Sequence, residues 1–185
     1  IKPRKGQGSI CINTVFAEDE LRSAFLMAQR IISRLDSNNL LAKDGEENLI
    51  IQELIQGVEY GLDVVNDLSG RYAACFVKHK LAMRAGETDA AETVDIPELE
   101  SFGRTISEKL GHIGLLDVDV IVDRLGPCLL EANPRFGGHY PFSHEAGANI
   151  PAALIAWAQG KEPDPTWLHV NAGVRCLKDI TMLRA

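Results

Sequence analysis

Between Glu18 and Leu35 apolar residues recur at steps of three and four. Leu21, Phe25, Ala28, Ile32 and Leu35 form a stripe that Ala24 and Ile31 widen, which predicts an amphipathic helix. Asp36-Ser37-Asn38-Asn39 ends it, and residues 43–48 (KDGEEN) read as a loop. A short apolar run, Ile10 to Val15, predicts a strand before the helix. After it, 48–55 and 58–65 read as strands, and the weak alternation of the second predicts cover on both faces. Asn66-Asp67-Leu68-Ser69-Gly70 is a turn, and 72–77 returns as the second strand of a hairpin. The polar stretch 84–93 reads as a loop. Asp95-Ile96-Pro97-Glu98 resembles a capped helix start with Asp95 as N-cap. Leu99, Phe102, Ile106 and Leu110 then form one stripe that Gly111 closes. Residues 115–122 and 128–132 are strands joined by the turn Arg124-Leu125-Gly126-Pro127. A long loop is expected over 133–148. Asn149 can cap a helix over 150–159, stopped by Gly160, and 174–182 reads as a last strand.

The 185 residues are 45% apolar and 24% charged, ordinary values for a globular chain able to bury a core without staples. A formal charge of −7 and no block of Lys and Arg argue against nucleic acid or an anionic membrane surface as partner. Cys11, Cys75, Cys128 and Cys176 form no CxxC unit, and four small, mostly buried thiols in a reducing compartment are expected. The expected location is cytoplasmic, since no apolar run approaches the ~20 residues of a membrane span and the start carries no signal-peptide pattern. Ile1 is not a methionine, and the chain is expected to be cut from a longer protein.

The richest chemistry lies in DVDVIVDRLGPCLLEANPRFGGH, residues 117–139. Glu131 and Asn133, two apart on a strand, share a face. Pairing through the turn at 124–127 can bring Asp119 beside Glu131. Two carboxylates and an amide oxygen make a hard-oxygen site of the kind Mg²⁺ takes. Pro134 biases Asn133 to extended backbone. Arg135 then follows, a guanidinium suited to a phosphoryl group. Near the start, KGQGS (5–9) is a flexible loop whose backbone can approach a ligand, without the Walker spacing. Lys78, Lys80 and Arg84 follow a predicted strand and read equally as ligand contacts or a solvated strand end. The five histidines show no zinc-ligand spacing, and His139 reads as a surface residue or a substrate contact.

LLEANPRFGGH, with the acid-bearing strand before it, resembles the metal-binding segment of ATP-grasp enzymes, in the branch that includes the large subunit of carbamoyl-phosphate synthase. The resemblance implies Asp119, Glu131 and Asn133 as Mg²⁺ ligands, with Mn²⁺ able to substitute, and Arg135 as the residue holding the transferred phosphate. IIQELIQGVEYGLDVVNDLSG (50–70) resembles the family's hinge segment. By that pattern Glu53 lies near the base, Leu54 and Ile55 lend backbone groups to adenine, and Glu59 accepts from the ribose hydroxyls. IKPRKGQGS resembles the family's lysine-ended strand and glycine-rich loop, with Lys2 on phosphate oxygens and backbone N–H groups around Gly6, Gly8 and Ser9 closing over them.

The resemblance, spanning Lys2 to about Gly160, implies an α+β ATP-grasp fold with mainly antiparallel sheets and helices packed on them. It implies a small lobe over 1–52 and a large lobe over 53–185. The family's preceding α/β domain and the first part of its small lobe have no counterpart here, so the fragment alone is expected to turn over poorly. The implied activity is that of a carboxylate–amine or carboxylate–ammonia ligase working through an acyl phosphate, with ATP, a small carboxylate and the nucleophile as partners. The resemblance leaves room for a homodimer. The alternative reading is a nucleotide-binding regulatory module without ligase activity.

Overall fold

The structure is a computed structural model that describes residues 1–4, 11–36 and 49–179. The chain divides into two compact units, Ile1–Ile55 and Gln56–Ala185.

In the first unit β1 (Lys2–Pro3) pairs antiparallel with β2 (Leu49–Ile50), and α1 (Glu18–Asp36) packs on both. Glu18, Asp19 and Glu20 fill the first turn of α1, where negative charge opposes the helix dipole favourably. Ala28 and Ile32 are buried, as their spacing predicts, whereas Ile31 is exposed. The strand expected over 48–55 is only Leu49–Ile50, because its partner β1 is itself two residues long. Among its described residues, the expected strand over 10–15 has no regular structure beyond a turn at Cys11.

The second unit is built on a six-stranded, wholly antiparallel sheet. Its strands are β3 (Val58–Asn66), β4 (Tyr72–Arg84), β5 (Glu87–Val94), β6 (Gly114–Asp123), β7 (Gly126–Asn133) and β8 (Arg175–Leu177), in the spatial order β7-β6-β3-β4-β5-β8. The helices are α2 (Pro97–Leu110), α3 (Tyr140–Glu145) and α4 (Ile150–Ala158), with a 3₁₀ turn at Pro165–Leu168. The architecture is the α+β one that the sequence predicts. None of the described helices is long and apolar enough to cross a membrane.

The central strand β3 is covered on both faces, and its two faces differ in chemistry. One carries Leu62 and Val64, which join Cys75, Val77, Val118 and Val120 under Leu99 and Ile106 of α2. Gly103 lets this helix approach, since a Cβ there would sit 2.6 Å from Cys75 Sγ. At one end Ser107 donates to Asn66 Oδ1 at 2.6 Å, while Asn66 Nδ2 donates to the carbonyls of His112 at 2.8 Å and Gly70 at 3.1 Å. A buried amide so fully satisfied fixes the helix on the sheet. The other face begins with Val65, Ala74, Phe76 and Leu115, which pack with Tyr140 of α3 and Ile150 of α4. Further along β3 this second face turns polar, and the candidate site lies there.

Four local expectations are corrected. The stretch 84–93 is mostly strand β5: Ala85 and Gly86, with φ of 50° and 80°, make a tight turn of hairpin type, and the buried positions of β5 are Thr88, Ala91 and Thr93 rather than large apolar residues. Asp95 does not cap α2. Ile96 holds the N-cap position with extended backbone and packs against the core, and no side-chain cap bond forms. Leu110, past the last buried turn, is exposed. The expected loop over 133–148 contains α3, which opens with Pro141 in its first turn, where a missing N–H costs nothing. The expected cap does form at α4, where Asn149 Oδ1 accepts from Ala152 N at 3.2 Å. Cys75 is buried, Cys11 and Cys176 are half-buried and Cys128 is exposed, all four as free thiols.

Candidate active site

Alternation along three neighbouring strands assembles the site. Asp63 stands opposite Asp117 and Phe76, Gly61 opposite Asp119 and Lys78, and β6 meets β7 in the pairs Asp119–Glu131 and Asp117–Asn133. Residues two apart share a face, so Glu59, Asp63, Lys78, Lys80, Asp117 and Asp119 all emerge on the side covered by α3. Next to the Asp119–Glu131 pair the register shifts, leaving Leu130 unpaired as a bulge. Bulges re-aim neighbouring side chains and recur beside functional sites.

The expected ligand set therefore lies together. Asp119 and Glu131 are direct cross-strand neighbours, and Asn133 Nδ2 donates to Glu131 Oε1 at 2.9 Å. That bond leaves the Asn133 amide oxygen free of it. Glu131 is exposed, and Asp119 is largely covered. Asp119 Oδ1 is buried without an aligned hydrogen bond, although Lys80 Nζ lies 2.7 Å away. Burial outweighs that ammonium and raises the Asp119 carboxyl above its usual range. A carboxylate oxygen short of partners beside two more oxygen donors fits a hard divalent cation such as Mg²⁺.

Lys80 is shared. Its Nζ also donates to Glu59 Oε1 at 2.6 Å, so Glu59 and Asp119 are bridged by one nearly buried ammonium. Lys78 is fully buried and donates to Asp63 and, at 2.9 Å, to Ser143 Oγ, which in turn donates to Asp63 Oδ2 at 2.6 Å. Burial pushes the Asp63 carboxyl up, but the charges of Lys78 and His139 and the hydrogen bond from Lys78 hold it well below the usual carboxylate range.

His139 occupies the middle. It is only 3% exposed, not the surface residue that its sequence setting suggests. Nδ1 lies 3.2 Å from Asp63 Oδ1, and Nε2 faces Asp117 Oδ1, with Asp119 Oδ1 at 3.6 Å. Burial and Lys78 pull its pKa down, but the Asp63 charge and the close approach of the Asp117 carboxylate prevail and raise it. The charge count agrees: Glu59, Asp63, Asp117 and Asp119 face Lys78, Lys80 and Arg135, and an imidazolium supplies the fourth positive charge. Space for the ring exists because residue 61 is glycine. A Cβ there would come within 2.7 Å of His139 Cδ2, and one at Gly137 within 2.0 Å of Asp117 Cγ.

Arg135 projects as its position after Pro134 suggests, yet it is held. Its Nη1 donates to Asp117 Oδ2 at 3.0 Å and to the Phe136 carbonyl at 3.1 Å, and 56% of the side chain is exposed. Arg84 does not join this network; it pairs with Asp89 along the outer hairpin. Sequence reasoning missed Asp63, Asp117 and Ser143. The alternation 59, 61, 63 against 117, 119 was the available signal for the two acids. Nothing local marks Ser143, which reaches the sheet only through α3.

In the other unit, Lys2 is half-buried in β1 opposite Ile50. Glu53 and Leu54 are exposed and Ile55 half-buried, in a stretch without strand partners among the described residues. Gly6, Gly8 and Ser9 lie outside the described residues.

Comparison with solved structures gives the fold independently. The chain is similar to Rhizobium etli pyruvate carboxylase (TM-score 0.71, 15% identity), covering 90% of this chain and 16% of that one. It is similar to the biotin carboxylase domain of Hydrogenobacter thermophilus 2-oxoglutarate carboxylase, solved with MgADP, ADP and bicarbonate (TM-score 0.67, 18% identity, 87% of this chain and 36% of that one). It also resembles biotin carboxylase from Campylobacter jejuni (TM-score 0.69, 18% identity, 90% and 38%). The chain thus spans well under half the length of each. No relative was found among curated proteins. The family model for the ATP-grasp domain in the biosynthetic pathway with Ter operon matches residues 45–180, most of this chain and nearly all of the unit that carries the site, and the chain belongs to that ATP-grasp family.

Proposed function

We propose that this chain carries the Mg-ATP site of a ligase that activates a carboxylate by phosphorylation, in the carbamoyl-phosphate synthase-like branch of the ATP-grasp enzymes. The carrying observation is the convergence of Asp119, Glu131 and Asn133 on one face, with the Arg135 guanidinium following on the same strand end. In the proposed reaction a carboxylate oxygen attacks the γ-phosphate of ATP, ADP leaves, and an amine or ammonia displaces phosphate from the resulting acyl phosphate. Such chemistry needs placement and charge control more than a covalent protein intermediate.

Asp119, Glu131 and Asn133 would hold Mg²⁺, with Mn²⁺ as a substitute, and the ion when bound neutralises phosphate charge. Arg135 binds the transferred phosphoryl group. Lys80 holds Glu59 by Oε1 alone, which leaves Oε2 of Glu59 for ribose hydroxyls. On the family pattern, Lys2 and the backbone around Gly6, Gly8 and Ser9 bind phosphates. Glu53, Leu54 and Ile55 take the adenine edge. The pyruvate, 2-oxoglutarate and biotin carboxylases to which the fold is similar support ATP-driven carboxylate chemistry, and an L-amino acid ligase from Bacillus licheniformis shares the fold at TM-score 0.52 and 16% identity.

The test is phosphate release from Mg-ATP by the full-length protein, with a panel of carboxylates offered with and without amines or ammonia. Release that requires both a carboxylate and a nucleophile is expected. Tight Mg-ATP binding with no release under any pairing would instead make this a regulatory nucleotide-binding module. Glu131→Gln is expected to weaken Mg-ATP binding about tenfold, since it exchanges an anionic ligand for a neutral one. A calorimetric titration giving wild-type affinity would remove Glu131 from the ligand set.

A further inference from the structure

The cluster around His139 does more than the ligand set requires. Asp117, Asp63 and His139 place one ligand-type atom each within 4.8 Å of one another, and all three are buried. A cation site is the first idea to test against the geometry. Asp63 faces Nδ1 and Asp117 faces Nε2, so the carboxylates lie against opposite nitrogens of one ring. The two lone-pair directions of an imidazole diverge, and an ion bound at one nitrogen forfeits the carboxylate at the other. Lys78, already on Asp63, adds repulsion. The ring itself stands where a cation would.

What the cluster does reach is Arg135. Asp117 has two oxygens with two different tasks: Oδ1 faces the buried imidazole and Oδ2 accepts from Arg135 Nη1. Behind the imidazole stands Asp63, fixed by Lys78 and Ser143. An exposed arginine side chain has many accessible rotamers, so its guanidinium does not keep one direction unaided. Here Nη1 is held twice, by Asp117 and by the Phe136 carbonyl, and the backbone N–H of Arg135 donates to the Asn133 carbonyl at 2.8 Å. No described residue takes a hydrogen bond from its other nitrogens, which leaves them for a ligand.

We propose that Asp117 and His139 are positioning residues, a buried carboxylate–imidazole pair that fixes the direction of the Arg135 guanidinium. The cost of such a device supports a functional purpose. A buried charged network is weak as a source of stability, because desolvation offsets its Coulomb energy. Glycines at 61 and 137 clear the space for these two side chains, His139 and Asp117 respectively. The catalytic consequence rests on the reading of Arg135 given above; the positioning itself does not.

The experiment uses Asp117→Asn, which keeps the shape of the side chain, in the full-length protein. Nitrogen-15 spectra of the Arg135 guanidinium, assigned with Arg135→Lys, are expected to move toward free-arginine positions and broaden in Asp117→Asn and in His139→Gln. In turnover, Asp117→Asn is expected to lower kcat about tenfold or more, with KM for ATP within about twofold. Combined with Arg135→Ala it is expected to add less than about twofold, because it acts through that residue. Guanidinium signals unchanged by Asp117→Asn, or an equal loss of kcat in both backgrounds, would overturn the proposal. The spectra need no turnover. Should Arg135→Ala keep full activity while the signals still move, the functional reading fails and the positioning stands. If Asp117→Asn does not fold, His139→Gln supplies the same spectral test.

Discussion

Arg135→Ala in the full-length protein is expected to lower kcat by about 10² to 10³, with the affinity for Mg-ATP nearly unchanged. The size follows from the loss of one preorganised donor to charge developing in the transition state, worth about 2.7–4 kcal/mol. The split between kcat and KM follows from where the guanidinium is held. It hangs on Asp117 and the Phe136 carbonyl, not on the Asp119–Glu131–Asn133 set, so its removal leaves the ligand oxygens in place. Arg135→Lys is expected to recover only part of the loss, since an ammonium offers a point charge instead of a fork with fixed geometry. Single-turnover phosphate release beside equilibrium ATP binding separates the two quantities. Full turnover by Arg135→Ala would end the phosphoryl-holding role.

Lys78→Met is expected to destabilise the fold by about 3–5 kcal/mol, the range for removing one partner of a buried ion pair. Lys78 and Asp63 are both inaccessible to solvent, so the remaining carboxylate has no water to turn to. It would keep only Ser143 and His139. By contrast Arg84→Ala, which breaks the half-exposed pair with Asp89, should cost less than about 1 kcal/mol. Urea unfolding of both variants measures the difference, and equal midpoints would show that the buried pair contributes no more than a surface one. The pH sign is fixed as well. Asp63 is held below its usual range when folded. It therefore contributes stability that is present above the unfolded carboxyl value of about 3.9 and lost as pH falls through the folded one. Replacing Lys78 raises that folded value and brings acid unfolding to a higher pH.

Part of the proposed ligand set was legible because strand chemistry is local. Residues two apart share a face, so Glu131 and Asn133 group directly, whereas their alignment with Asp119 depends on the bulge at Leu130: the register set by the closing pair Asp123–Gly126 alone would put Asp119 opposite Leu130. The amphipathic helix at Glu18–Asp36 and the cap at Asn149 were legible for the same reason: each signal sits within a few residues of its effect. Strand β5 was not, because its buried positions are Thr and Ala, which carry little hydrophobic contrast and take their place from the neighbouring strands. The short helix after Gly138 was hidden by its length and by one proline that reads equally as loop.

Periodicity and turn signals alone carry the α+β class and the order of the two hairpins, and they set Glu131, Asn133 and Arg135 together at one strand end. The fate of His139, a residue with no local neighbour to explain it, is settled by long-range packing. Packing α3 against β4, β5 and β8 carries it from a glycine-rich stretch into a buried slot between Asp63 and Asp117, residues 76 and 22 positions earlier in the chain. The physical reason is that periodicity encodes which face a side chain takes, whereas the pairing of charges across strands depends on which elements the core draws together.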